Sequence, residues 1–124
     1  LSDASPRRIG LSRRAGFDLH VFSRFTNGLP ARAIARPGRW GNPFPTGTQV
    51  TPAMAVERYR LLVTGTTPPT PSWGCMQAQR RALRQVQQNL PQLAGHNLAC
   101  WCAAGEPCHG DVLLRLVAER CGAR

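Results

Sequence analysis

The side chains best suited to chemistry crowd into the stretch Leu98–Asp111, LACWCAAGEPCHGD. It holds Cys100, Cys102, Cys108, His109 and Asp111. The run Asn97-Leu-Ala-Cys-Trp-Cys102 reads as a buried strand, residues 103–107 as a short polar loop, and Cys108-His109-Gly110-Asp111 as the opening of an amphipathic helix. A thiol at a helix start meets unpaired N–H groups and the positive end of the helix dipole, both of which favour the thiolate. His109 is then placed to act as an acid or base and Asp111 as a general base or first-turn cap. The same helix start would bind a phosphate with no covalent step. Cys108, His109 and Asp111 are therefore the catalytic candidates, with Cys102 beside the ligand.

The same residues permit two other readings. Cys100, Cys102, Cys108 and His109 form a Cys₃His set suited to zinc. Their C-x-C-x5-C-H spacing is not the usual C-x2-C knuckle, and adjacent Cys-His ligands demand an awkward backbone, so no metal is the expectation and zinc the alternative. Buried cysteine also behaves as a small hydrophobe, and Cys75 and Cys121 are read as structural in that sense.

A second stretch could supply the opposite wall of a site. Residues 36–45, RPGRWGNPFP, contain three prolines and two glycines, which forbid regular structure and imply an ordered loop. Arg36 and Arg39 offer forks for phosphate, Trp40 a stacking face, Asn42 a partner for a base edge. Gly38 and Gly41 would let backbone N–H groups approach an anion. Alternatively Trp40 and Phe44 plug the core edge. The expected ligand-binding residues are Arg36, Arg39, Trp40, Gly41, Asn42 and Cys102.

The elements that must position these residues are legible in part. Phe17–Phe25 alternates apolar and mixed faces and reads as a strand, followed by a turn at Asn27-Gly28 and a second short strand at Ala31–Ala35. Thr51 caps and Pro52 opens a helix with Ala53, Val56, Tyr59, Leu62 and Val63 on one stripe, ended by Gly65. A stiff connector, TTPPTP, precedes a helix from about Trp73 to Leu90 capped by Ser72. Met76, Leu83, Val86 and Leu90 point inward there, and arginines and glutamines cover the outer face. The last helix spans His109 to about Arg120, with Val112, Leu113, Leu116 and Val117 inward. The order β-β-loop-α-α-β-α indicates a compact single α/β domain, a small sheet covered by helices as a Rossmann-like three-layer or a two-layer sandwich. Residues 1–16 read as a basic flexible arm and 17–124 as the domain.

At 124 residues the chain has enough length for one core. Five cysteines exclude a fully paired disulfide framework, which favours a reducing cytoplasm. No stretch approaches a membrane span, no signal peptide is visible, and a start at Leu1 rather than Met suggests a processed or trimmed chain. The net charge is +10, carried entirely by arginine with no lysine. Such an excess attracts phosphates, either free nucleotides or a nucleic acid.

Taken together, RPGRWGNPF (36–44) and GHNLACWCAAGEPCHGDVLL (95–114) resemble a bacterial and phage family, domain of unknown function 4326. Val56–Tyr59 matches the helix with a tyrosine that lies between the family's two motifs. The resemblance runs from about residue 19 to 118. It implies the two-motif site and no particular activity. The Cys-His after a strand is also similar to another unassigned α/β family with Cys-His-Arg, from which Gly110 departs. The leading expectation is a protein that binds a nucleotide or other phosphorylated ligand between residues 36–44 and Cys102–Asp111, with enzymatic activity left open and hydrolysis or group transfer the reaction class to test first. The alternatives are a non-catalytic nucleic-acid-binding module, with zinc optional, and a phage–host interaction protein.

Overall fold

The computed structural model describes residues 5–121. Three short strands, β1 (Arg8–Gly10), β2 (Ala31–Ala33) and β3 (Asn97–Cys100), form a parallel sheet in the order β1-β3-β2. Four helices accompany them: α1 (Leu19–Asn27), α2 (Pro52–Val63), α3 (Met76–Asn89) and α4 (His109–Arg120). Short 3₁₀ turns at Pro71–Trp73 and Leu90–Leu93 flank α3.

The central strand β3 is buried along its whole length, and its alternation sorts the two layers of core. Leu98 and Cys100 join the main core with residues of α2, α3 and α4. Ala99 joins a small cluster with Ile9 and Ala31, against which Leu19 of α1 packs. Helices therefore cover both faces, the three-layer form of the expected α/β architecture. The main core is built on Tyr59, Phe44, Ile34, Leu62 and Leu113, each fully buried. Burial of one such side chain contributes about 1.5–3 kcal/mol.

The N-terminal segment corrects the expectation of an arm over residues 1–16. Arg8–Gly10 is an edge strand in register with Leu98–Cys100, and the backbone N–H of Leu98 donates to the Arg7 carbonyl. Three residues suffice because Ile9 buries its side chain while Arg8 reaches across the other face. Residues 1–4 lie outside the described part of the chain.

The expected strand at Phe17–Phe25 is helix α1. Asp18 caps it, accepting from the backbone N–H groups of His20 and Val21, and Gly28 closes it in a left-handed conformation at φ 84°. Apolar alternation misleads here because α1 fully buries only Ser23 and leaves Val21, Phe22 and Phe25 exposed. By contrast α4 matches its expected stripe and α2 matches from Val56 onward, with Ala55 rather than Ala53 buried in its first turn, and Thr51 caps α2 by accepting from the Met54 N–H. The second long helix starts later than expected. Ser72 falls in a 3₁₀ turn, Cys75 takes the cap position, and Gln79 is buried rather than solvated. Gln79 accepts from the Thr70 N–H at 2.8 Å and donates to the Thr70 and Gly74 carbonyls, tying the connector to α3.

Candidate functional site

The cysteine turn occupies the C-terminal edge of the central parallel strand, where open α/β sheets commonly place ligands. β3 stops at Cys100, not Cys102, and a bend at Trp101 and Cys102 exposes both residues. Cys100 and Cys102 consequently do not share one strand face; the bend itself returns Cys102 to Cys100. The chain then crosses the 103–107 loop and enters α4 with Cys108 as its cap residue. The Cys100 and Cys108 sulfurs lie 3.3 Å apart and hydrogen-bond. All three sulfurs, Cys100, Cys102 and Cys108, fall within 4.8 Å of one another.

The surroundings favour one thiolate at Cys108. Its pKa is pulled well below the ordinary thiol range, first by the hydrogen bond with Cys100, then by His109, Arg8 and the Gly110 N–H, all against the cost of burial. The Gly110 N–H donates to the Cys108 sulfur at 3.4 Å. Cys100 is pushed up by that same bond with Cys108 and by burial, and Cys102 by burial first. The three groups thus share negative charge that settles on Cys108.

Arg8, from the unexpected strand, pins this turn. Its Nη1 donates to the Glu106 carbonyl at 2.9 Å, its Nη2 to the Ala103 carbonyl at 3.4 Å, and its Nε lies 3.6 Å from Asp111. Burial works against the charge on Arg8, but its hydrogen bond to Cys108 and the charge of Asp111 outweigh that and hold it firmly protonated. Asp111 is thereby paired across the turn. Gly110 is needed for packing, since a Cβ there would stand 2.8 Å from the Ile34 Cδ1 and 3.5 Å from the Cys108 sulfur.

His109 joins the two sequence motifs. Its Nε2 lies 2.9 Å from the carbonyl oxygens of both Ile34 and Trp40. Carbonyl oxygens can only accept, so Nε2 carries the proton and donates to both. The ring is buried and packs edge-on against Tyr59, with centroids 5.2 Å apart. Burial pushes the Tyr59 hydroxyl far above its usual pKa. With Nε2 committed to two carbonyls, His109 is not among the clustered metal-ligating atoms, and the Cys₃His set offered as the alternative reduces to three cysteines among the described residues.

The 36–44 loop is held by its own contacts. Asn42 is buried, accepts from the Phe44 N–H at 2.9 Å and donates to the Ala55 carbonyl at 3.2 Å, so it anchors the loop to α2 rather than offering a free amide. Trp40 is 6% exposed and belongs to the core, which removes the open stacking face expected of it. The N–H groups of Gly38 and Gly41 donate to the carbonyls of Ala35 and Gly38, and are not free for an anion. Gly41 is instead a close-approach position: a Cβ would meet the Arg36 Cγ at 2.6 Å.

Two cavities flank this loop. One, about 240 Å³, has Arg36, Asn42 and Phe44 on one side and Cys100, Trp101, Cys102 and His109 on the other, so the two motifs do face each other. The other, about 610 Å³, lies between the loop and α3, lined by Arg36, Arg39, Asn42, Arg81 and Gln85 among others. Arg39 and Gln85 continue into a neighbouring groove of about 550 Å³ with His20, Arg32 and His96.

A family model described as a domain of unknown function, number 4326, matches residues 25–119. The chain belongs to this family. The family match takes in the 36–44 loop, the tyrosine helix and the cysteine turn, as the motifs imply, but begins after β1, so Arg8 lies outside it. No curated protein and no solved structure matches the chain.

Cys108 and His109 are therefore adjacent and buried, Cys102 exposed on the thiol cavity, and Asp111 turned to Arg8. Arg36 and Arg39 line the larger cavity. Cys75 and Cys121 are exposed and stand apart from the cluster. Sequence reasoning missed Arg8, hidden in what read as a tail, together with Arg81 and Gln85, which were read as a solvated helix face. No helix among the described residues is long and apolar enough to cross a membrane.

Proposed function

We propose that this protein binds a phosphorylated small molecule of nucleotide size in the cavity of about 610 Å³ between the 36–44 loop and α3. What carries the reading is a concentration of unanswered donors. Arg36, Arg39 and Arg81 line the cavity and have no acidic partner among the described residues. Gln85 lines it too, and its Nε2 is the one buried side-chain nitrogen or oxygen without a hydrogen-bond partner among those residues. Three guanidiniums and an idle amide donor suit phosphate oxygens, and the volume falls in the range of small-ligand sites.

The reading is one of binding. Cys108, His109 and Asp111 do not line this cavity, so hydrolysis or group transfer gains no support from it. A nucleic-acid module is the second reading, favoured by the exposed Arg80, Arg81 and Arg84 on α3. Titrating labelled single- and double-stranded oligonucleotides and labelled ADP over a range of salt separates the two. Saturable ADP binding with little polymer affinity supports the proposal. Polymer binding that falls steeply with salt, with no ADP binding, favours the module instead.

A further inference from the structure

We infer that Cys100, Cys102 and Cys108 form a three-thiolate zinc site whose fourth position opens toward the cavity of about 240 Å³. The inference is independent of the anion cavity on the other side of the loop.

Sulfur spacing is the first ground. Zinc–sulfur bonds of about 2.3 Å in a tetrahedron place sulfurs about 3.8 Å apart. Here two sulfurs are 3.3 Å apart and all three lie within 4.8 Å, so side-chain shifts of about 0.5–1 Å bring them to that spacing. Three sulfurs also exceed what a disulfide pair requires, and none of them is bonded to another.

The second ground is the shell around them. Thiolates bound to a metal accept N–H donors, which fix the ligands and spread their charge. The Gly110 N–H at the start of α4 donates to the Cys108 sulfur at 3.4 Å. Three thiolates on a divalent ion leave one net negative charge, and the half-buried guanidinium of Arg8, which also pairs with Asp111, stands beside the turn that carries it. The backbone difficulty of an adjacent Cys-His pair also disappears, because His109 serves as a brace and not as a ligand.

The third ground is access. Cys100 and Cys102 line the cavity, as do Arg36 and Asn42. A site with three protein ligands and one open position is the arrangement of zinc that binds water or a substrate donor, whereas structural zinc is closed by four. The ligand class expected there is a small donor such as water, a thiol or an imidazole. On binding, the Cys100 and Cys102 thiols pass their protons to solvent, Cys108 being already the thiolate, and no oxidant or reductant is consumed.

The test uses the full chain purified without a histidine tag or chelator. Elemental analysis is expected to give about one zinc per chain, with affinity falling at least about tenfold in Cys102→Ser and unchanged in Cys75→Ser and Cys121→Ser. Cys102 is exposed, so its replacement leaves the fold measurable. Cobalt-substituted protein is expected to show thiolate charge-transfer and tetrahedral d–d bands that shift when imidazole is added. Folded protein without metal after zinc reconstitution, copper in place of zinc, a Cys100–Cys108 disulfide in mass spectra, or a cobalt spectrum indifferent to imidazole would each overturn the inference.

Discussion

The His109 Nε2 stands 2.9 Å from the Trp40 carbonyl oxygen across 69 residues of chain, and equally close to that of Ile34. One imidazole thus holds the 36–44 loop against the start of α4. It is the bond that makes two distant motifs into one structure. A residue singled out for acid–base chemistry has its Nε2 engaged by two backbone carbonyls.

His109→Ala is expected to lower stability by about 2–4 kcal/mol, from two buried carbonyls losing their donor and a gap opening beside Tyr59. Urea denaturation checks this. A change below about 0.5 kcal/mol would show that the brace is dispensable.

Gly110→Ala places a methyl 2.8 Å from the Ile34 Cδ1, inside the packed interior. Overpacking of this kind costs about 1–3 kcal/mol. Gly10→Ala, with nothing within 4 Å of the added carbon, serves as the matched control and is expected to fall within about 0.5 kcal/mol of the parent. Equal melting temperatures for the two variants would contradict the packing described.

Asn97 is fully buried at the start of β3. Its amide nitrogen donates to Ser23 Oγ and Asn27 Oδ1 at 2.8 Å each, while its oxygen accepts from the Arg7 N–H and Asn27 Nδ2. The network links β1, α1 and β3. Asn97→Ala is expected to cost about 2–4 kcal/mol. Asn97→Asp should cost more at neutral pH, and less as pH falls and the buried carboxyl is protonated. A loss independent of pH would contradict this.

Tyr59 is the one tyrosine of the chain, so its ionisation can be followed by ultraviolet absorbance without ambiguity. Its folded pKa is raised by burial. The neutral form is favoured in the native state, so the stability it contributes is fully present below the unfolded value of about 10 and is lost as pH rises toward the folded value. Tyrosinate absorbance should appear together with unfolding. Ionisation near pH 10 in a chain still folded would contradict the burial.

Much of this was readable from the sequence where burial and chain punctuation agree. The apolar stripes of α4 and of α2 from Val56 onward coincide with real core faces, and Thr51-Pro52 and Gly65 mark real ends. Misreading arose where they diverge. Helix α1 exposes Val21, Phe22 and Phe25, so its apolar pattern carries no record of burial, while the cap Asp18 and the closing Gly28 did record the helix. Strand β1 is three residues long and its arginines looked like a tail, yet Arg8 fixes the cysteine turn through contacts 95 and 98 residues away. The convergence of the three cysteines was visible in their clustering along the chain. The roles were not, because whether His109 or Asn42 is free depends on carbonyls and N–H groups that no spacing displays.

Isothermal titration of ADP, with adenosine as the control, into the parent protein and into Arg39→Gln/Arg81→Gln bears most directly on the proposed function. Hydrogen bonds to a charged group contribute about 1.5–3 kcal/mol each. The parent should bind ADP saturably and more tightly than adenosine, and the double variant should weaken ADP binding by at least about tenfold while keeping the parent's melting temperature. Equal affinity for ADP and adenosine, or ADP binding unaltered in the double variant, would contradict a phosphate site between the 36–44 loop and α3.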